Sequence, residues 1–480
     1  MNIEIVGNYA RMDSMPSGLR KLLTNFRMVN DRQARQTTVE EEPLYMETGN
    51  DKYMTFTGLV PRIKKYCESL GMKCVVKDSR PVPKLPDFSR LTGDLRFAQK
   101  ETIAAIVSSQ QGLVKLPTAN GKTHIIALLV ELYRGQAKIA ILSENSSVLK
   151  TINDRVKELS TAKGYILDGT TSMNTSVDYV VCSTKSIHKL PLDWPDIILY
   201  DEAHSSAAPV ISSALAKFSN VRMFGLTATP EGRSDNSEIV IEALFGPCIM
   251  NVKYEQSQAA GVICPIKVWM VPVLAGRDAS DMKTDIARDR NGIWRNRARN
   301  QVLVDVVNSI PQTEQVLIIT NTAEHVFRLR QLLPDFTVVH GGLSDKRYGQ
   351  FLKWGLVEKG AKGLKKPHVD ELADKFAAGE IRGVISTHVW KEGLDFKDLV
   401  FLVRADGKRG AIPSIQIGGR LSRTGSDGSK NYGVLIDFDD QFGRVYQGRT
   451  ADRMRFYSKE GWEVNKGWPN IPQLVTGARG

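Results

Sequence analysis

The run Leu113-Val114-Lys115-Leu116 is short and apolar, and it feeds the loop Pro117-Thr118-Ala119-Asn120-Gly121-Lys122-Thr123, which opens into a helical pattern over 124–133. This order constrains the fold, because a buried strand followed by a crossover helix is the repeating step of a parallel sheet. It also constrains the chemistry, since N–H groups at the start of such a helix converge on one point and hold phosphate oxygens. Gly121 lets the backbone approach an anion, Lys122 reaches outer phosphates, and the Thr123 hydroxyl is suited to Mg²⁺. The strict phosphate-loop pattern has glycine where Leu116 stands.

Further β-rich runs over 137–142, 179–182, 197–200 and 222–226 alternate with helical patterns, which predicts a parallel sheet with crossover helices. A second series over 316–320, 336–339, 383–386, 399–403 and 433–438 predicts another domain of the same kind. The strand over 197–200 delivers Asp201 and Glu202 to the carboxyl edge of its sheet, where ligands of open α/β folds bind. Asp201 is read as a metal holder and Glu202 as the general base that polarises an attacking water.

Three more segments follow in order: Asp201-Glu202-Ala203-His204, Leu226-Thr227-Ala228-Thr229-Pro230, and Gln416-Ile417-Gly418-Gly419-Arg420-Leu421-Ser422-Arg423. Together with the phosphate loop they resemble the superfamily 2 helicases and translocases of the DEAH-motif kind. The resemblance implies two tandem RecA-like parallel-sheet domains, an ATP and Mg²⁺ site, and a nucleic-acid track. The expected boundaries are a small α/β accessory domain over 1–88 and the two RecA-like domains over 89–264 and 265–480.

Within the resemblance, Gln99 in Leu95-Arg96-Phe97-Ala98-Gln99 reads adenine, its amide offering both a donor and an acceptor. Pro117, Thr118, Ala119 and Asn120 complete the loop around Gly121 and Lys122. Gln416, Gly393 and Asp395 belong to the nucleotide-sensing set. Arg420 and Arg423 stand three apart, which predicts one helical face, and Arg423 is the first choice for an arginine finger. His204 either couples the nucleotide site to the other domain or is a satisfied structural histidine. Thr227 and Thr229 are read as a mechanical link rather than catalytic groups.

The track is assigned to Ser143 with Asn145, Thr184 with Lys185, Thr320 with Asn321, and Thr387, whose small hydroxyl and amide groups suit phosphate contacts. Strand-end capping explains each of them equally well. Trp390 either stacks on a base or packs as a buried aromatic.

The first 88 residues carry none of these segments and end in Arg80-Pro81-Val82-Pro83-Lys84-Leu85-Pro86, which reads as a linker. A strand over 1–6, a basic amphipathic helix over 18–29, and a second helix over 59–70 leading into a strand are expected there. Thr57-Gly58-Leu59-Val60-Pro61-Arg62-Ile63 is similar to the lead-in of UvsW-type phage recombination helicases. That likeness implies a 3′-to-5′ motor on forks, junctions or displacement loops, with Arg62, Lys64 and Lys65 beside duplex DNA; a packing domain with a solvated basic helix is the alternative. The Lys- and Gly-rich segment over 344–366 is a surface loop or a DNA-contacting insertion.

A chain of 480 residues with 42% apolar and 25% charged residues is long enough for several filled cores,. Net charge +12 and pI ≈ 9.3 suit a polyanionic partner, or simply a basic surface,. Five scattered cysteines lack the paired spacing of a metal site,. No apolar run reaches the roughly 20 residues of a membrane span, which places the chain in the cytosol. The expected partners are single-stranded and branched duplex DNA, with RNA remodelling, or an ATP-gated clamp or motor subunit of a nuclease complex, as the alternatives.

Overall fold

The computed structural model describes residues 1–31, 36–49, 51–91, 95–144, 146–228, 237–359, 364, 366–390, 396–425 and 430–479. The chain divides into two compact units, Met1–Lys253 and Tyr254–Gly480.

The first unit begins with β1 (Asn2–Val6), whose Ile3 and Ile5 are buried while Asn2, Glu4 and Val6 are exposed, the period-2 pattern of a sheet with one covered face,. It pairs antiparallel with β2 (Tyr9–Met12). The expected helix over 18–29 ends at Leu22, as the helix Ser17–Leu22. Beyond it, β3 (Thr24–Asp31) and β4 (Gln36–Pro43) form a separate antiparallel hairpin. The reason is a pairing across the turn: buried Asn25 donates to Glu42 at 2.9 Å, and Arg27 bonds the same carboxylate at 3.1 Å. A continuing helix would leave the Asn25 amide buried without that partner.

β5 (Tyr45–Gly49), β6 (Lys52–Phe56), the helix Val60–Ser69 and β7 (Val75–Asp78) complete the module, with sheet order β5-β6-β2-β1-β7. Its core is continuous with the rest of the unit, since Ile3, Leu59 and Ile63 share one apolar cluster with Val240, Ile241 and Phe245. Gly58 allows the close approach: a Cβ there would collide with the backbone carbonyls of Glu242 and Ala243.

The main sheet of this unit is built from β8 (Gln111–Lys115), β9 (Ile139–Ser143), β10 (Gly164–Leu167), β11 (Tyr179–Ser183), β12 (Ile197–Asp201), β13 (Arg222–Thr227) and β14 (Cys248–Asn251). All its pairs are parallel, in the order β10-β11-β9-β12-β13-β8-β14. Strands β9 and β12 are buried along their whole length, as expected when helices cover both faces,.

The second unit repeats the plan. β15 (Ile266–Val273), β16 (Val316–Ile319), β17 (Thr337–Val339), β18 (Gly383–Ser386), β19 (Phe401–Arg404), β20 (Gly433–Asp440) and β21 (Glu463–Lys466) form a second all-parallel sheet. Its order is β17-β18-β16-β19-β20-β15-β21. These are the two tandem RecA-like domains expected from the sequence, with a small mixed-sheet module at the N-terminus. Part of the Lys- and Gly-rich segment is a helix, Asp345–Lys353, whose Phe351 packs with Phe327 and Leu356. Among the described residues, no helix is long and apolar enough to cross a membrane.

Candidate nucleotide and nucleic-acid sites

In the first unit the carboxyl ends of β12, β13 and β8 lie side by side. Asp201 pairs in register with Leu226, and Thr227 with Lys115. The Leu116 N–H donates to the Thr227 carbonyl at 3.1 Å, so the phosphate loop leaves the sheet directly beside Thr227. Ala119 and Gly121 both take left-handed backbone, φ 73 and φ 82, which curls the loop ahead of the helix Lys122–Leu132. Glu202 is also left-handed, at φ 56. That conformation costs a non-glycine residue roughly 1–2 kcal/mol, and such strain concentrates at functional sites.

The side chains converge. Lys122 Nζ lies 3.6 Å from Glu202 Oε1, while His204 Nδ1 lies 3.3 Å from Glu202 Oε2 and 3.3 Å from Thr227 Oγ1. Burial alone would push the Glu202 carboxyl up, but the Lys122 ammonium and the His204 hydrogen bond outweigh it and hold the group down at about 2. Glu202 is therefore a carboxylate at neutral pH. His204 links it to the strand end at Thr227, the partners of a satisfied histidine within this unit.

Gln99 is buried, its Oε1 accepting from the Arg96 N–H at 3.0 Å. A Cβ on Gly121 would stand 2.6 Å from Gln99 Nε2, so only glycine lets the loop and this amide approach. Asn120 is 1% exposed, and neither polar atom of its amide has a hydrogen-bond partner among the described residues. A buried amide left in this way within a phosphate loop fits a bound anion or its water. Among the described residues no three His, Cys, Asp or Glu side chains gather as a metal cage. A divalent cation would rest on Thr123, buried Asp201 and phosphate oxygens, which are hard ligands suited to Mg²⁺,.

At the same sheet edge, Ser143 pairs in register with Ser183, and Thr184 follows; Ser143 and Thr184 are both buried. In the second unit the Thr320 N–H donates to the Ser386 carbonyl at 2.8 Å, and the Thr387 N–H to the Val339 carbonyl at 3.0 Å. Thr320, Asn321 and Thr387 therefore share the carboxyl edge of that sheet. The Thr320 hydroxyl is fully buried and lies 3.3 Å from the Ser386 carbonyl, the capping arrangement. Asn145, Thr229, Gly393 and Asp395 lie outside the described residues.

Three expectations need correction. Arg62 is not a free surface charge: its guanidinium makes a two-pronged pair with Glu242 on the helix Glu238–Phe245, while its side chain stays 35% exposed. Trp390 has no exposed surface and packs on Phe376 and Phe396, with ring centroids 5.7 and 5.4 Å away, so no base can reach it. Arg420 and Arg423 do not share a helical face. The helix Ala411–Gly418 passes into a tight turn at Gly419–Ser422, and Arg423 follows in extended backbone, φ −66 and ψ 131.

The sequence reading missed a buried ionic network behind the Gln416–Arg423 segment. Arg404 donates to Asp406 at 2.8 Å, to the Ser414 hydroxyl at 2.6 Å and to the Tyr457 hydroxyl at 2.8 Å. Arg453 pairs with Asp437 and Arg299 with Asp440, both at 2.8 Å. Ser414 lies two residues before Gln416 in the same helix, so Arg404 braces the helix that carries it. The signal was in the sequence: Asp437 and Asp440 interrupt an apolar strand, and a buried carboxylate there requires a buried cation.

The family described as type III restriction enzyme, res subunit, matches residues 92–232, and the helicase conserved C-terminal domain matches residues 298–425. The chain belongs to the superfamily 2 helicases and translocases. A DNA 3′-5′ translocase, XPB2, of Sulfurisphaera tokodaii is 22% identical over 370 residues, covering 72% of this chain and 82% of that one. Among solved structures, Saccharomyces cerevisiae Dbp5 bound to RNA and ADP BeF3 is similar with TM-score 0.55 at 13% identity, over 80% of this chain and 94% of that one. UvsW of bacteriophage T4 aligns over 98% of this chain and 100% of its own, at 18% identity and TM-score 0.44. At such identities the structural likeness is one of fold.

Proposed function

We propose that this chain is an ATP-driven motor that moves on DNA and unwinds or branch-migrates forks, junctions and displacement loops. The observation that carries the reading is the chain of contacts from Lys122 through Glu202 and His204 to Thr227. It joins the phosphate loop to the end of β13, so a change at the outer phosphates alters the contacts of a strand end.

Lys122 and the N–H groups of the loop hold the phosphates, Gln99 and the backbone beside it hold the base, and Asn120 gains its missing partner. Mg²⁺, when bound with the nucleotide through Thr123 and Asp201, supplies positive charge to the outer phosphates. Once phosphate oxygens draw Lys122 away, Glu202 loses its largest opposing charge and burial raises its basicity. The carboxylate then accepts a hydrogen bond from the attacking water and takes its proton as the water oxygen bonds to the γ-phosphorus and the bond from that phosphorus to the bridging oxygen breaks, releasing ADP. Arg423, with Arg420 second, neutralises charge on the transferring phosphoryl group.

The DNA preference and the 3′-to-5′ sense are supported by the XPB2 relative, described as a DNA 3′-5′ translocase. The test is ATP hydrolysis measured alone and with single-stranded DNA, duplex, a four-way junction and matched RNA at one salt concentration. Greatest stimulation by branched DNA supports the reading. Stimulation by RNA alone makes the chain an RNA remodeller, and turnover without strand movement makes it a clamp.

A further inference from the structure

We propose that Arg290, Arg295 and Arg328, gathered on Glu324, form a phosphate-binding tripod that grips the backbone of a nucleic-acid strand. The proposal rests on the motor reading above, because the ligand is the strand that the motor would follow.

Glu324 is 4% exposed, and three guanidiniums reach it: Arg295 at 2.6 Å, Arg328 at 3.1 Å and Arg290 at 3.6 Å. One arginine neutralises one carboxylate, so the cluster keeps an excess of about two positive charges. The interior network of the same unit is balanced, with Arg299, Arg404 and Arg453 against Asp406, Asp437 and Asp440. Glu324 is the only carboxylate paired with the three arginines among the described residues. Like charges brought together without counter-charge cost energy that an anion recovers.

The arginines are also held in place. Asp285–Asp289 is α-helical, but Arg290–Trp294 is a single π-turn, a feature found mostly at functional sites,. Arg290 and Arg295 stand at its two ends. Arg295 lies over the Trp354 ring at 4.8 Å, which fixes its plane,. Arg290 turns its buried Nε toward Glu324 at 3.6 Å, beyond hydrogen-bond distance, so the carboxylate holds it by charge alone. The Arg290 and Arg295 side chains are each 35% exposed and that of Arg328 27%, within reach of an anion in solvent.

The position suits a strand. Glu324 is the second residue of the helix Ala323–Leu332, capped by Thr322, and that helix start favours negative charge,. Asn321, already a candidate for phosphate contact, precedes the cap directly. With the Thr320 hydroxyl buried against Ser386, the arginines supply the grip that the threonine was expected to give. Planar guanidinium forks match phosphate oxygens, and contacts of this kind position a strand without reading its sequence.

The experiment uses the full chain with labelled oligothymidylate and oligouridylate, titrated across salt concentration. Replacing Arg290→Gln and Arg295→Gln together leaves Arg328 to hold Glu324. That double variant is expected to lower the slope of log affinity against log salt by about 1.4, from roughly 0.7 per lost phosphate contact on a single strand. Arg290→Lys with Arg295→Lys should restore most of the slope, which a purely structural role does not predict. In parallel, phenylglyoxal modification of the unaltered chain should be blocked at the three arginines by bound oligonucleotide, read by mass spectrometry. Tighter binding of one oligonucleotide says whether the strand is DNA or RNA. Failure of the unaltered chain to bind either one overturns both this site and the motor reading. Binding with an unchanged slope in the glutamine variant, or with all three arginines still modified, overturns the tripod alone.

Discussion

Lys122 Nζ stands 3.6 Å from Glu202 Oε1, so the residue that would take the outer phosphates and the residue that would activate water neutralise each other. The pairing predicts that Lys122→Ala loses ATP turnover and lets burial push the Glu202 carboxyl up. The sign for stability follows from a folded value of about 2 against an ordinary 4.5. A depressed carboxyl contributes stability that is full above 4.5 and is lost as the pH falls toward 2. The gap in unfolding midpoint between the unaltered chain and Lys122→Ala should therefore close across that window, as thermal melts would show.

Among the described residues the buried Asn120 amide has no hydrogen-bond partner. An unsatisfied buried polar group costs about 1–3 kcal/mol, which a bound nucleotide recovers. Asn120→Ala is expected to weaken nucleotide binding by roughly tenfold, for about 1.4 kcal/mol lost, while leaving the nucleotide-free unfolding midpoint equal or higher. Calorimetric titration and a melt without nucleotide check the two halves.

Arg62 and Glu242 join the N-terminal module to the helix Glu238–Phe245. Arg62→Ala should lower stability by up to about 1 kcal/mol, the range of a partly exposed ion pair, and should leave the salt dependence of DNA binding unchanged. A fall in that slope would restore Arg62 to a DNA-facing surface. Because the apolar cluster runs through both parts, deleting residues 1–86 uncovers Val240, Ile241 and Phe245 and is expected to lower the unfolding midpoint.

His325 is buried in the second unit, with Nε2 3.0 Å from Asn300 Oδ1. Burial first, and then the charge of Arg299, push its pKa down to about 3 from an ordinary 6.5. Between these values the unfolded chain binds a proton that the folded chain refuses, so stability is full above 6.5 and falls as the pH drops toward 3. His325→Gln, which keeps a donor for Asn300, should flatten denaturant midpoints across that window.

What could be read from the residues alone was what is local. Most interior strands of the two large sheets announce themselves as apolar runs, β15 being the one the reading passed over, and the Pro117–Thr123 loop sits between its strand and helix by adjacency in the chain. The edge strands β10, β14 and β21 are only four residues long, too short to show a period, and gave no such sign. The larger misreadings turn on distant partners. Asn25 becomes a strand residue because of Glu42, and Arg62 turns inward because of Glu242, 180 residues away. Trp390 is buried by Phe376 and Phe396, whose approach depends on how the helix Lys366–Ala377 packs. The three arginines on Glu324 come from two helical segments, and their spacing along the chain carries no motif.

The central claim is that Glu202 activates the water that ends each ATP cycle and that this cycle drives strand movement. The most direct measurement is displacement of a labelled strand from a forked DNA, followed together with ATP binding and hydrolysis, in the unaltered chain and in Glu202→Gln. The account predicts that Glu202→Gln binds ATP with near-normal affinity, slows hydrolysis by about 10²-fold or more, and displaces no strand. Hydrolysis and displacement at the unaltered rate in Glu202→Gln would contradict it.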